Sequence, residues 1–338
     1  MNDAKKLKLA GITYNLKRKN SNDDSQEEYD EPFTIKFLKQ TIQALGISVV
    51  PIEQNEKLYS KLAKIKPDFV FNICEGRGQL RSRESQVPCI LESLNIPYYG
   101  SDPLALGITL DKHITNIVLK SSGIHVPDNY TVSAESDIKG MQNIFSEDKR
   151  YIIKPRWEGS SKGIFLNSVV SNFPSLMEKA LFIINTYSQP AVIEEFLENE
   201  EITVGICGNT GSLEIIGMMK ISEKKSSGDF IYSIENKREW RKKIKYEGID
   251  KIEKNIQIAL AESAEKAFSA LELRDVARID FRLDKYRIPK IIDINPLPGL
   301  SPKYSDLMLM CRLTNKNFSE LVKKLFVIAA ERNGFTVC

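Results

Sequence analysis

The chain has 338 residues, 42% of them hydrophobic and 28% charged, and its 48 lysines and arginines nearly balance 45 aspartates and glutamates, for a formal net charge of +3. This length suits two or three α/β units, and the ordinary apolar content argues against wholesale disorder. A near-neutral balance gives no general electrostatic case for nucleic acid or a membrane surface, so any basic site has to be local. The opening MNDAKKLKLAG lacks an apolar signal region, and no uninterrupted apolar run reaches bilayer-spanning length, so a cytoplasmic location is expected. Five scattered cysteines (Cys74, Cys89, Cys207, Cys311 and Cys338) have no CxxC spacing and read as reduced thiols. With His113 and His125 as the two histidines, Ser-His-Asp or Cys-His catalysis is strained, which leaves carboxylates, lysine and arginine to carry any chemistry.

Apolar patterning predicts strands over residues 7–14 and 47–52 around a helix over 32–45, on which Phe33, Ile35, Leu38, Ile42 and Leu45 can share a face. The polar stretch NLKRKNSNDDSQEEYDE between them reads either as a solvated linker or as a substrate-facing loop. A strand over 68–73, a helix over 87–94 and a short strand over 96–99 complete a doubly wound α/β unit. A second, α+β unit opens with a helix over 111–122 that Gly123 stops. It continues with a strand over 151–154, a small-residue loop over 157–163, a helix over 174–187 and a strand over 191–195. Strands over 202–207 and 213–220 flank Gly208-Asn209-Thr210-Gly211, which is hairpin chemistry. Residues 221–248 are crowded with charge and lack periodicity, so a long active loop or a disordered one is expected there. A helix over 251–271 follows, giving an expected division into 1–110, 111–195 and 196–338.

The last two strands are the most informative. Residues 276–283 alternate, with Ile279, Phe281 and Leu283 on one face and Arg278, Asp280 and Arg282 on the other. Residues 290–295 put Asp293 and Asn295 on one side and Ile292 and Ile294 on the other. If Leu283 pairs with Lys290, the same register sets Asp280 opposite Asp293 and Arg278 opposite Asn295. Cross-strand neighbours lie about 5 Å apart, so two bare carboxylates would repel. A divalent cation such as Mg²⁺ would resolve that conflict, its coordination completed by phosphate oxygens and water. The competing reading is a solvated hairpin whose acids pair with Arg278 and Arg282. Pro296-Leu297-Pro298-Gly299-Leu300-Ser301 then forms a rigid turn suited to a backbone nest for an oxyanion.

Upstream, KPRWEGSSKG (154–163) places a strand-end lysine before a loop of small residues that can wrap phosphates, without the Walker spacing. Together with IPYYGSDPLALGITLDK (96–112), VIEEFLENEEITVGI (192–206), ARIDF (277–281) and DINPLPGLS (293–301), the chain resembles the D-alanine–D-alanine ligase family of ATP-grasp enzymes. That resemblance implies a multidomain α/β ATP-grasp fold behind an N-terminal doubly wound domain. It also implies an ATP- and Mg²⁺-dependent ligase that joins a carboxylate to an amine through an acyl phosphate. By it, Lys112, Lys154 and Lys237 contact phosphates, and Ser160 and Ser161 lie on the phosphate-covering loop near the first substrate. Glu194, Glu195, Phe196 and Leu197 meet adenine, and Glu201 accepts the ribose hydroxyls. Asp280, Asp293 and Asn295 take the metal positions, with Asp293 standing where the family usually has glutamate. Arg278 and Gly299 stabilise the acyl phosphate and tetrahedral oxyanion.

The departures from the family cluster on the substrate side. GITYNLKRKN lacks the usual glycine-rich turn and the glutamate that grips the first substrate's ammonium, for which Glu27, Glu28 or Glu31 could substitute. CEGRGQLRSRESQVP could line the substrate pocket through Glu75, Arg81, Arg83 and Glu84, or be a solvated charged loop. Arg238 stands where a substrate-side tyrosine is usual, and Tyr304, with Ser305 adjacent, where a serine holds the second substrate's carboxylate. The expectation is a ligase of small amino-acid or peptide substrates other than two D-alanines, with a homodimer by family analogy. The alternatives are a ligase modifying a larger, acidic peptide, and an ATP-binding module without turnover.

Overall fold

The computed structural model describes residues 5–18, 24–225 and 230–337. Its N-terminal sheet is parallel, in the order Ser48–Glu53, Leu9–Tyr14, Phe69–Ile73, Tyr98–Tyr99. Every residue of Phe69–Ile73 is buried, as a parallel strand covered on both faces requires. Helix Pro32–Gln43 starts on a proline, where no helical amide is lost, and turns Ile35, Leu38 and Ile42 into the core.

The central sheet is antiparallel, in the order Asn129–Val132, Ala191–Glu195, Tyr151–Pro155, Val169–Val170, with helix Phe173–Tyr187 packed on it. Between the two sheets in chain order come helices Pro103–Leu110 and Lys112–Ser121, capped by Asp102 and Asp111, whose carboxylates accept from the amides of Ala105 and Ile114. The first of these was absent from the sequence reading, because its apolar residues are spread around the helix instead of forming one stripe.

The third sheet is antiparallel and five-stranded: Ile244–Glu247, Ser212–Glu223, Glu201–Asn209, Asp275–Leu283, Pro289–Asn295. Helix Lys254–Ala270 buries Ile256, Leu260, Ala264 and Phe268 against it. Residues 221–248 are not one long loop: the strand runs on to Glu223, and helices Ile234–Arg238 and Trp240–Lys243 lead into the edge strand Ile244–Glu247. Buried Ile231, Ile234 and Ile244 anchor this stretch at spacings with no strand or helix period; residues 226–229 lie outside the described residues.

The chain end returns to the first sheet. Helix Phe318–Arg332 sets Phe326 against Phe69 (5.3 Å between ring centroids) and Phe71 (5.9 Å). Phe335–Thr336 pairs in parallel with Lys5–Lys6.

Candidate active site

In the last hairpin Arg278 lies opposite Asn295 and Asp280 opposite Asp293, the register that alternation predicted. Beyond Asp280 the ladder slips by one, so that Leu283 pairs with Pro289 and not with Lys290. A bulge at Ile292 absorbs the extra residue. It turns the Ile291 amide to the His125 carbonyl (3.0 Å) and gives the core to Ile291 and Ile294. Ile292, expected on the core face, therefore lines the cleft instead, and its carbonyl accepts from Lys154 Nζ at 3.4 Å.

Each of the facing carboxylates carries a cation. Arg278 reaches Asp280 at 2.9 Å and Asp306 at 2.9 Å, and Lys112 Nζ lies 3.3 Å from Asp293. Thr203 donates its hydroxyl to Asp280 at 2.9 Å. Burial raises the Asp280 carboxyl by more than the Arg278 guanidinium lowers it. The Lys237 ammonium is lowered by burial and then by Arg278. Among the described residues there is no cluster of three or more acidic, histidine or cysteine side chains arranged to hold a metal. Asp280 and Asp293 line the cleft as hard oxygen donors whose chemistry fits a magnesium-like ion, whereas the Asn295 amide oxygen accepts from the Leu297 amide at 3.1 Å and Asn295 is not among the cleft-lining residues.

Across the cleft, the loop after Tyr151–Pro155 turns sharply. Ser160 (φ +50°) and Ser161 (φ +59°) both sit in the left-handed region, strain of the kind held at functional sites. Ser161 donates to the Tyr232 carbonyl at 2.8 Å, tying the loop to the segment before helix Ile234–Arg238. Gly163 (φ +72°) packs so closely that a Cβ would come within 2.3 Å of Pro155 Cγ. Lys154 Nζ is bonded to Glu194 at 2.7 Å and Lys112 Nζ to the Glu158 carbonyl at 2.7 Å, which fixes both ammonium groups on the cleft wall. Burial lifts Glu201 to about 7, and the nearest cation, Arg282, is 3.8 Å away. The Arg282 guanidinium also stacks 4.6 Å from the Phe196 ring. The cleft spans about 840 Å³, part of it open to solvent, and all ten residues expected at the nucleotide, Lys237 included, line it together with Arg278, Asp280 and Asp293.

The substrate-side residues divide. Arg83, expected in the pocket, is 2% exposed and its guanidinium is committed internally, to Glu28 (2.8 Å) and the Trp157 carbonyl (2.5 Å). Arg81 pairs with buried Asp111 at 2.8 Å. Glu28 in turn accepts from the Gly159 amide at 2.9 Å, so the polar loop is no simple solvated linker: part of it buttresses the phosphate loop. Ser305 caps helix Asp306–Leu313, so its hydroxyl is spent on a structural bond. Arg238 meets Glu27 at 2.7 Å on the surface. Tyr304 is half exposed, edge-on to Phe33, and Gly299 is exposed on its turn. Glu75 and Glu84 stand together, and burial, then repulsion from Glu84, raises Glu75.

A family model described as D-ala D-ala ligase C-terminus matches residues 118–327, more than half of the chain. A D-alanine–D-alanine ligase of Aquifex aeolicus is 32% identical over 86% of this chain and 92% of its own length. The chain belongs to the D-alanine–D-alanine ligase family. An uncharacterized protein of Sinorhizobium fredii is 28% identical over 86% of this chain and 85% of its own. In fold, the D-alanine–D-alanine ligase of Bacillus anthracis, solved with ATP, superposes with a TM-score of 0.73 at 21% identity, covering 97% of this chain and 98% of that one.

This family member is thus an ATP-grasp ligase that forms an amide at the expense of ATP. Of the three arginines expected to contact an acidic peptide, Arg81 pairs with Asp111, Arg83 with Glu28 and Arg238 with Glu27, so each already has an acid of this chain as partner. Sequence reading missed Glu158, Thr203 and Asp306 in the ligase's cleft. Asp306 had a signal, an acid in the first turn of a helix opening directly after the PGLS turn, while Thr203 lies in an apolar strand that hides it.

Proposed function

We propose that this ligase activates the carboxylate of one small amino-acid or peptide substrate with ATP and joins it to the amine of a second. The observation that carries this is the convergence of Lys112, Lys154 and Lys237 with Arg278, Asp280 and Asp293 in one cleft. In this reading the lysines hold phosphate oxygens, Glu194 to Leu197 meet the base, and Glu201 accepts the ribose hydroxyls. A substrate carboxylate oxygen attacks the γ-phosphorus and ADP leaves; the second substrate's amine, having lost a proton, attacks the acyl carbon and phosphate departs. Arg278 and the Gly299 amide steady the carbonyl oxygen as it gains charge, and Ser160 holds the first substrate under the loop. Asp280, Asp293 and Asn295 would hold Mg²⁺, which when bound neutralises phosphate charge.

The division at residues 110 and 195 rests on three sheets that fall within those bounds. No described helix is long and apolar enough to cross a membrane, and a cytoplasmic location is proposed by analogy with the family. A homodimer rests on analogy with the family. The test is incubation with ATP, Mg²⁺ and pools of D- and L-amino acids, following phosphate release and product mass. Amino-acid-dependent phosphate release with a condensed product is expected; bound ATP without release from any pool would overturn the reading.

A further inference from the structure

Lys112 and Lys154, which hold phosphate in the proposed reaction, are both tied to one short stretch of chain. The Lys112 amide donates to the Arg156 carbonyl at 3.2 Å and its ammonium to the Glu158 carbonyl at 2.7 Å, so residues 156–158 hold Lys112 at both ends. The same stretch continues directly from the strand Tyr151–Pro155, which carries Lys154. Lys154 is fixed at its far end by Glu194 at 2.7 Å and the Ile292 carbonyl at 3.4 Å. Like charges on one cleft wall repel, so the backbone has to enforce their spacing. That spacing depends on how Arg156 and Trp157 sit against the start of helix Lys112–Ser121.

The contact between them runs through Asp111. Its side chain is fully buried, and N–H groups from three parts of the chain converge on it. One oxygen, Oδ1, accepts from the Ile114 amide at 3.1 Å and from Arg156 Nε at 2.7 Å. The other, Oδ2, accepts from Trp157 Nε1 at 3.2 Å and lies 2.8 Å from Arg81 Nε, in the loop after strand Phe69–Ile73. Burial works to raise this carboxyl, yet the Arg156 bond and then the Ile114 amide outweigh it and hold the group below the usual carboxylate range. Capping the helix needs a single acceptor oxygen, which asparagine supplies as well. Holding Arg156, Trp157 and Arg81 besides needs two acceptor oxygens, which an amide lacks.

We infer that Asp111 is a positioning residue: through Arg156 and Trp157 it sets the spacing of Lys112 and Lys154, so that affinity for the phosphates of ATP, and not for its adenosine part, depends on it. The inference rests on the reading of these two lysines as phosphate contacts. Glu194 to Leu197 and Glu201, the residues expected at the adenosine, make no bond to Asp111.

The experiment is calorimetric titration of the full chain, in Mg²⁺, with a non-hydrolysable ATP analogue and separately with adenosine. Asp111→Asn keeps the shape and the helix cap but turns an amide donor toward N–H groups that need an acceptor. It should raise the Kd of the analogue by about tenfold or more and leave that of adenosine within about twofold. Arg156→Gln, which breaks the same contact from its other side, should give the same split, and the double variant should lose little more than either alone. Equal weakening of both ligands would show a structural role only and overturn the inference. Lys112→Met separates failure of the inference from failure of the lysine reading. If Lys112→Met weakens the analogue while Asp111→Asn and Arg156→Gln leave it at parental affinity, the lysine reading stands and the positioning role is overturned. If none of the three weakens it, the lysine reading falls and the inference falls with it.

Discussion

Arg278 touches Asp280 on its own strand and Asp306 on the helix after the turn, so in the proposed reaction it is the residue on which the metal donors and the oxyanion site would meet. The Asp306 bond fixes one end of the guanidinium from outside the set of oxygen donors, so Arg278 stays aimed when Asp280 turns to another cation. Asp306→Ala should therefore lower kcat by about tenfold with little change in the KM for ATP, a split that steady-state kinetics reads and that unaltered kcat would refute. Asp280→Ala goes further, since it removes an oxygen donor and an Arg278 partner together: turnover should fall by about a hundredfold or more, with far-UV circular dichroism unchanged. Retained turnover would reject the metal assignment. Residues of this kind were legible where a strict two-residue alternation displayed them, as at Arg278, Asp280, Asp293 and Asn295. They were not legible where a polar side chain sits alone in an apolar strand, as at Thr203, or where a guanidinium's partner is remote in sequence, as for Arg83 with Glu28.

At the level of elements, alternation and turn chemistry gave the strands and the hairpin register, but a single-residue bulge such as that at Ile292 leaves no trace in a period and changes which isoleucine faces the cleft. The same limit applies to residues 24–31, whose polar composition conceals a structural anchor. Glu28 is nearly inaccessible and bonds to Arg83 and the Gly159 amide, with Lys162 3.6 Å away. Burial works to raise its carboxyl, yet Arg83 and then Lys162 outweigh it and hold the group below the usual carboxylate range. A depressed carboxyl contributes stability that is present above its unfolded value and lost as pH falls through its folded one, so Glu28 steepens acid unfolding. Glu28→Gln strands two buried cations and should cost about 3–5 kcal/mol, seen as an earlier urea midpoint and a shallower acid limb. An unshifted midpoint would show that the polar loop does not brace the phosphate loop.

The whole molecule is closed by its last helix, which lays Phe326 between Phe69 and Phe71 and lets Arg332 reach Asp275 at 2.7 Å, joining the first sheet to the third. A sequence division ending the first unit at residue 110 has no means of foreseeing that contact, because helix periodicity says which face is apolar and not which sheet receives it. Phe326→Ala, at a fully buried ring, should cost about 3–5 kcal/mol and lower the midpoint for both units at once; separate transitions would show them uncoupled. Charge acts at this scale as well. Asp30, Glu84 and Glu201 all stand near 7, chiefly through burial, against ordinary values near 4 in the unfolded chain. The folded ligase thus binds more protons than the unfolded chain over that interval, so these groups contribute stability that is full below about pH 4 and is lost as pH rises through about 7. Ligand-free protein should accordingly show urea midpoints that decline from about pH 5.5 to about pH 8. Asp30 is the cleanest probe, since burial is the one cause that moves it. Asp30→Asn keeps the shape and removes the ionisation, so its midpoints should fall less steeply over the same range, and parallel profiles for parent and variant would reject the assignment of that decline to buried acid.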